Sequence, residues 1–223
     1  MQILKWPACL GYSLLEGHES DLNAMIWYED DIQYLEDHIR PQVIDKKSVV
    51  FYGSSSIRLW PELQQSFPKY HIVNMGFGGS TLAGCGWFVD RVFKDISPKA
   101  LVFYAGDNDL GDGRHPEEVY LFFEAFYAYI RYMHPKIPFT FISVKPSPNR
   151  LHLVQQMKLL NEWVEKSLLP DPHATFIDVF SRMSSCVSAL SKLYTEDGLH
   201  MNSHGYTIWR DALLEHEAEV FGA

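Results

Sequence analysis

Cysteine is scarce in this sequence of 223 residues. The three cysteines, Cys9, Cys85 and Cys186, lie far apart, and no CxxC pair occurs. A disulfide framework or a structural zinc site needs cysteines at close and regular spacing, so neither is expected. Free cysteines are usually buried, and they persist in reducing compartments. We therefore expect buried free thiols and a cytoplasmic location.

Positive charge is also in short supply. Nineteen lysines and arginines stand against 28 acidic residues, which gives a formal net charge of -9. A phosphate backbone repels such a surface unless a basic patch compensates, and the sequence has no run of basic residues. The pair Lys46-Lys47 is more simply explained as solvated residues in front of a strand. We expect no nucleic-acid partner and no attraction to anionic membranes.

Long hydrophobic runs are missing as well. No stretch of the sequence is long enough to span a bilayer as a helix. Residues 1–15 make a poor signal peptide, because they hold one lysine and a short apolar run interrupted by Pro7 and Gly11. We therefore expect no integral association with a membrane.

The sequence has no repeat, low-complexity tract or Gly/Ser linker at which it could be divided. Residues 1–223 are therefore predicted to form a single domain, with 1–45 as an N-terminal extension and helix packed on it. Apolar segments of strand length alternate with segments of helical period. The predicted strands are 48–52, 71–75, 100–104, 139–144 and 175–179, and the predicted helices are 23–39, 81–93, 116–133, 150–168 and 203–220. This alternation of apolar strands and helices indicates a three-layer α/β/α sandwich with about five parallel strands.

Polar, glycine-rich segments follow four of the predicted strands. They read GSSS, GFGGST, GDNDLGDG and KPSPN in chain order, and EDGLHMNSHGY precedes the last helix. Ligands of open parallel sheets bind at the carboxyl ends of the strands. These segments are therefore expected to form an active site at one edge of the sheet.

The segment GSSS at residues 53–56 has two interpretations. A serine nucleophile needs a base, a group that orients the base, and N–H donors for the oxyanion. His200 could be the base, because Asp197 precedes it by three residues and could accept the Nδ1 proton. The other interpretation is a helix cap followed by small packing residues. The segment alone does not choose between them.

The acidic segment GDNDLGDG resembles part of a calcium loop. Asp107, Asp109 and Glu118 would be its first, third and twelfth ligands. However, Gly111 takes the fifth position, and Asp112 takes the sixth, where a sharp turn favours glycine. Calcium binding is therefore not the favoured interpretation. Asn108 lies between Asp107 and Asp109, and its side-chain amide could instead donate to an oxyanion.

Two other segments could bind a metal or a nucleotide. His200 and His204 have the spacing of a metal pair on a helix. Asn202 and Ser203 resemble a helix cap, however, which would leave the first histidine in the preceding loop. GFGGST lacks the lysine of a phosphate-binding loop and contains no GxGxxG, so a nucleotide is disfavoured. We expect no metal and no organic cofactor.

Two tryptophans follow the first two loops. Trp60 lies beyond GSSS, and Trp87 lies beyond GFGGST. Tryptophan is large and apolar, so both are expected in the core rather than in the wall of a pocket.

Taken together and in this order, the segments resemble the SGNH hydrolase superfamily, also called the GDSL lipases and acylhydrolases. The matching blocks are Gly-x-Ser, Asn-x-Gly-x-x-Gly, Gly-x-Asn-Asp and Asp-x-x-His, and they extend over residues 49–206. The resemblance implies the flavodoxin-like SGNH hydrolase fold. Each block is common, but the ordered set is specific.

The resemblance also implies a role for each matching residue. Ser55 would be the nucleophile, His200 the general base and Asp197 the acid that orients it. The backbone N–H groups of Ser55 and Gly79 and the side-chain amide of Asn108 would form the oxyanion hole. Ser54 stands where the family usually has aspartate, so the choice among three serines depends on the alignment of the blocks.

The function implied by the resemblance is hydrolysis of a small-molecule carboxylic ester through an acyl-enzyme. The expected substrates are short-acyl or acetyl esters, including those on carbohydrate, because no long apolar insertion suggests a lipase lid. A thioesterase, a lysophospholipase and an acyltransferase would use the same catalytic residues. A ligand-binding module without activity on the same scaffold is the alternative from another class.

Overall fold

A computed structural model describes residues 25–184 and 187–222, with side chains for all of these except 187–189. Five parallel strands form its central sheet in the order β2-β1-β3-β4-β5. The strands are β1 (Ser48–Gly53), β2 (His71–Gly76), β3 (Ala100–Tyr104), β4 (Phe139–Ile142) and β5 (Ala174–Ile177). β1 and β3 are buried along their whole lengths, as expected for central strands covered on both faces.

Helices cover both faces of this sheet. The helices are α1 (Glu29–Tyr34), α2 (Ser55–Arg58), α3 (Leu63–Ser66), α4 (Leu82–Val92), α5 (Asp107–Gly111), α6 (Pro116–Met133), α7 (Val154–Leu168), α8 (Val179–Ser184), α9 (Ser203–Glu215) and α10 (Glu217–Phe221). The predicted three-layer α/β/α sandwich with five parallel strands is confirmed. Among the described residues, every helix is too short or too polar to cross a lipid bilayer.

The apolar side chains form one core on each face of the sheet. Alternate residues of β1 point to opposite faces, so Val50 and Tyr52 join α1, α4, α6 and α7 in the first core. Val49 and Phe51 join α2, α3, α9 and α10 in the second. The helices thus bury both faces, and the carboxyl edge of the sheet is left to the loops.

The five strands lie where the sequence predicts them, but two of them end earlier. β4 stops at Ile142 rather than at residue 144, and β5 stops at Ile177 rather than at 179. The two strands end together because Ile142 pairs with Ile177, after which the chain turns into α8. The Ser143 hydroxyl accepts the Val179 N–H at 3.0 Å, so α8 takes the place of further strand pairing.

Three predicted helices are divided in the structure. The predicted helix 23–39 contains α1, a π-turn at Leu35–Ile39 and a 3-10 turn at Arg40–Gln42, and its first two residues lie outside the described part. The prediction for 150–168 misses a 3-10 turn at Pro148–Leu153 that precedes α7. The prediction for 203–220 misses a break at residue 216, whose backbone leaves the helical region between α9 and α10.

The buried-thiol and tryptophan predictions are confirmed in part. Cys85 is a buried free thiol, and burial raises its pKa; Cys9 and Cys186 lie outside the described residues. Trp60 is buried in the second core, as predicted, but Trp87 is 40% exposed. The prediction for Trp87 is wrong because the buried face of α4 follows residues 82, 85, 88, 89 and 92, and position 87 lies off it.

Candidate active site

The turn from β1 into α2 places three serines at the carboxyl edge of the sheet. Gly53 has φ of +132°, and a Cβ at this position would overlap with the carbonyl oxygen of Tyr104 on β3. The N–H of Ser54 donates to that same oxygen at 2.9 Å. The turn therefore needs glycine, because the chain bends directly against the neighbouring strand.

The three serines of this turn are not equivalent. Ser54 and Ser56 are buried, with 0% and 2% of their surface exposed, whereas Ser55 is partly exposed. Ser54 occupies the cap position of α2, but its hydroxyl makes no cap hydrogen bond. Only the middle serine is accessible to a ligand.

The structure brings His200 and Asp197 to Ser55. The His200 Nε2 atom lies 3.1 Å from the Ser55 hydroxyl, and its Nδ1 atom lies 2.6 Å from the Asp197 carboxylate. A serine next to an imidazole that a carboxylate orients can pass its proton to that imidazole. The three residues therefore have the geometry that nucleophilic catalysis requires.

Several hydrogen bonds keep the Asp197 carboxylate charged. Burial works against ionisation, but the N–H groups of Leu199 and His200 donate to it at 2.8 and 2.9 Å, and the Thr195 hydroxyl donates at 2.8 Å. Together with the His200 side chain, these donors hold the Asp197 pKa well below its usual range. A charged Asp197 fixes the proton of His200 on Nδ1 and leaves the Nε2 lone pair facing Ser55.

His200 lies in a loop rather than on a helix. Asn202 caps α9, since its side chain accepts the N–H of His204 at 2.9 Å and that of Gly205 at 3.3 Å. The predicted cap is confirmed, and it separates His200 from His204, which lies inside α9. No group of three or more His, Cys, Asp or Glu that could hold a metal occurs in residues 25–184 and 187–222.

The acidic segment does not form a calcium loop. The buried Asp109 carboxylate accepts the N–H of Leu82 with both oxygens, at 3.0 and 2.8 Å. Glu118 pairs with Arg114 in the first turn of α6. Burial raises the pKa of Asp109 to about 7, because its few hydrogen bonds do not replace the lost hydration of the charge.

Asn108 and Gly79 follow the carboxyl ends of β3 and β2, the two strands that flank β1. Asn108, in α5, donates its amide N–H to the carbonyl oxygen of Ser80 at 3.0 Å. Gly79 has φ of +65°, and no atom lies within 4 Å of the position that a Cβ would take. These two residues can present an amide and a backbone N–H from neighbouring loops.

A buried ion cluster supports this part of the site, and sequence reasoning missed it. Arg150 donates to the Asn108 side-chain oxygen at 3.0 Å and lies 3.2 Å from the Asp107 carboxylate. Lys145 is 3.4 Å from the same carboxylate and donates to the Leu199 carbonyl at 3.1 Å. Because Arg150 donates to the oxygen of the Asn108 amide, the other end of that amide must be its NH2 group.

The sequence gives only a weak indication of this ion cluster. KPSPN was identified only as a polar segment after a strand, although Lys145 belongs to it and Arg150 follows it. Burial lowers the pKa of Lys145, and the Asp107 carboxylate opposes that change. A sequence shows that Lys145 and Arg150 follow a strand. It does not show that they contact the Asp107 carboxylate and the Asn108 amide.

A protein-family comparison decides to which group the chain belongs. The model of the GDSL-like lipase/acylhydrolase family matches residues 49–208, which is more than half of the 223 residues. The chain belongs to this family. The predicted resemblance to the SGNH or GDSL hydrolases is thereby confirmed, and the protein is an enzyme of the lipase/acylhydrolase type.

Solved structures share the fold of this GDSL-family chain. A Streptococcus pneumonia protein named for platelet activating factor is 21% identical with a TM-score of 0.72, and the alignment covers 93% of this chain and 98% of that one. A GDSL-like lipase from Bacteroides thetaiotaomicron is 21% identical with a TM-score of 0.66, covering 86% and 96%. An esterase of the SGNH-hydrolase family is 17% identical with a TM-score of 0.55, covering 81% and 100%. None of the curated proteins matches the sequence.

Proposed function

We propose that this GDSL-family enzyme hydrolyses carboxylic esters through an acyl-enzyme on Ser55. The observation that supports the proposal is the chain of contacts from the Ser55 hydroxyl through the His200 imidazole to the Asp197 carboxylate, at 3.1 and 2.6 Å. The second distance is short enough for a charge-assisted hydrogen bond.

The proposed reaction begins when the Ser55 oxygen attacks the ester carbonyl carbon and His200 Nε2 takes the hydroxyl proton. The N–H groups of Ser55 and Gly79 and the amide of Asn108 then donate to the oxyanion. Asn108 can do so because one of its amide hydrogens bonds to the Ser80 carbonyl and the second is available. Each such donor can contribute about 3–4 kcal/mol to transition-state stabilisation.

The tetrahedral intermediate collapses when the carbon–oxygen bond to the leaving group breaks. His200 returns its proton to the departing alkoxide, which leaves the acyl group on Ser55. Water then attacks this acyl group while His200 accepts one of its protons. The second intermediate releases the carboxylic acid as His200 returns its proton to the serine oxygen, so each step uses only the ester, water, and side-chain and backbone groups of this chain.

The proposed substrates are small esters with short acyl groups, including acetyl groups on carbohydrates. The sequence supports this choice because it has no long apolar insertion of the kind that covers a lipase site. Hydrolysis rates for a series of p-nitrophenyl esters of increasing acyl length, and for a panel of acetylated sugars, test the substrate class. A preference for long chains or for thioesters would contradict it.

A fluorophosphonate probe tests the mechanism itself. We expect folded wild-type protein to react with the probe and to lose its esterase activity in proportion to labelling, because the probe needs an activated serine. Mass spectrometry of the labelled peptides should place the adduct on Ser55. Folded protein that neither labels nor hydrolyses a short ester would overturn the proposed function.

A further inference from the structure

The peptide that carries the Gly79 N–H joins two consecutive glycines. No atom lies within 4 Å of a Cβ position at Gly79, so side-chain packing does not restrain this part of the loop. A Cβ at Gly78 would lie 2.5 Å from the Arg58 guanidinium, which is the mobile end of a long side chain and could move aside. Consecutive glycines have more backbone freedom than any other pair. Something other than packing must therefore fix the direction of this N–H.

Two side chains bind the loop on either side of that peptide. The Asp31 carboxylate accepts the Gly78 N–H at 3.1 Å, which fixes the peptide before it. The Tyr28 hydroxyl donates to the Gly79 carbonyl at 3.0 Å, which fixes the peptide after it. With both neighbouring peptides held, the two Cα atoms of the Gly78–Gly79 peptide are held as well, so the loop cannot carry this N–H away from its position without breaking one of these hydrogen bonds.

Both of these residues are themselves held in place. The Tyr28 ring is 6% exposed and packs edge-on against Phe77 at 5.3 Å and against Phe88 at 6.4 Å between ring centres. Burial raises the pKa of Tyr28 to about 12, so its hydroxyl keeps the proton that it donates. Asp31, in the first turn of α1, is 3.1 Å from Arg58, which follows the nucleophilic serine by three residues in α2.

We propose that Tyr28 and Asp31 are positioning residues that aim the Gly79 N–H at the oxyanion. Neither is expected to touch the substrate; each acts through the loop at residues 78–79. Both precede residues 49–208, the part of the chain that matches the family model. This inference rests on the proposed function, and it makes the N-terminal helical segment part of the catalytic apparatus.

Tyr28→Phe tests the first contact, because it removes only the hydroxyl. We expect kcat for p-nitrophenyl acetate to fall about tenfold, less than the 10²–10³-fold loss seen when an oxyanion donor is removed outright. KM should stay within about twofold, because the N–H acts mainly in the transition state. Tyr34→Phe is the matched control: Tyr34 is the last residue of α1, which begins directly after Tyr28, and it is 56% exposed and stacks on His38. It should keep the wild-type kcat.

A pair of substitutions at residue 31 tests the second contact. Asp31→Ala removes the acceptor for the Gly78 N–H and should lower kcat about tenfold, by the same comparison with a lost oxyanion donor. Asp31→Asn keeps an oxygen acceptor but loses the charge next to Arg58. It should therefore restore most of the lost kcat. A role limited to the ion pair would make the two variants equally slow.

The outcomes separate this inference from the proposed function. Wild-type protein that labels and hydrolyses, with Tyr28→Phe and Asp31→Ala variants that keep its kcat, would overturn the inference and leave the function standing. A loss of kcat that parallels a loss of thermal stability and that Asp31→Asn does not restore would also overturn it. Wild-type protein without esterase activity would overturn both.

Discussion

At the scale of single residues, exposure separates the three serines, among which the sequence chooses Ser55 only through the alignment of its blocks. Ser54 and Ser56 are enclosed, and Ser55 is partly exposed next to His200. A buried hydroxyl cannot reach an ester in solution, however well it is activated. The exposure of its side chain therefore supports Ser55 as the proposed nucleophile. The run of three serines in the sequence could not make this distinction by itself.

Three alanine substitutions test this assignment. Ser55→Ala should abolish hydrolysis of a short p-nitrophenyl ester, because among the described residues no other serine contacts the His200 imidazole. Ser54→Ala and Ser56→Ala should retain at least about a third of the wild-type kcat, since removing a buried hydroxyl that bonds to no side chain usually costs little. Steady-state kinetics on the three purified variants decide the matter. Equal losses in all three would contradict the assignment.

At the scale of elements, the β1–α2 turn places the proposed nucleophile, Ser55, where two neighbouring strands approach closely. Gly53 lies against the Tyr104 carbonyl, and the Ser54 N–H donates to that oxygen. The direction in which α2 leaves the sheet therefore depends on β3 as much as on β1. Any side chain at this glycine would separate the two strands at their carboxyl ends.

Gly53→Ala should consequently destabilise the fold by about 3 kcal/mol or more, because backbone strain and a steric overlap add together. Gly113→Ala is the matched control. Its φ of +90° is also unfavourable for alanine, but no atom lies within 4 Å of its Cβ position. It should cost only about 1–2 kcal/mol, the usual strain of a positive φ. Urea unfolding of both variants measures the difference, and equal costs would show that the overlap is relieved by a small shift.

The helices show where element prediction from sequence fails. The sequence predicts the strands well, because each is a short, continuous apolar run between turn residues. The helical pattern of 203–220 is equally clear, yet the backbone breaks at His216 between α9 and α10. Apolar spacing reports which face is buried, and it is nearly unchanged when a helix is interrupted for a single residue.

At the scale of the whole molecule, the pH dependence of stability should reflect Asp109. Its pKa is raised to about 7 in the folded state, so folding favours its protonated form. The stability it contributes is fully present below its unfolded pKa of about 4 and is lost as the pH rises through about 7. Asp197 acts in the opposite sense: its lowered pKa contributes stability above about pH 4 that is lost at lower pH.

Asp109→Asn tests this account. The amide keeps an oxygen that can accept the Leu82 N–H, but it cannot ionise. The free energy of unfolding of wild type, measured with urea at several pH values, should fall relative to that of the variant as the pH rises from about 4 to about 8. Taking the difference between the two proteins removes the contribution of other titrating groups. A constant difference across this range would refute the prediction.

The whole-molecule view also shows how much of the site could be read from the sequence. Ser55, Gly79, Asn108, Asp197 and His200 stand in short blocks whose order is specific, and the structure brings all five to one edge of the sheet. Tyr28, Asp31 and Arg150 have no such block. Their contacts to the site join residues 51, 47 and 42 positions apart, and only the folded chain reveals them.

The order of the site residues along the chain has a consequence for protein synthesis. The last of the five strands ends at Ile177. His200 comes 23 positions later, and it lies 145 positions after Ser55. A chain synthesised only as far as β5 therefore contains Ser55 and the residues of all five strands, but not His200. On the proposed function, such a chain would carry the proposed nucleophile without its base, and esterase activity would require the last quarter of the polypeptide to be made.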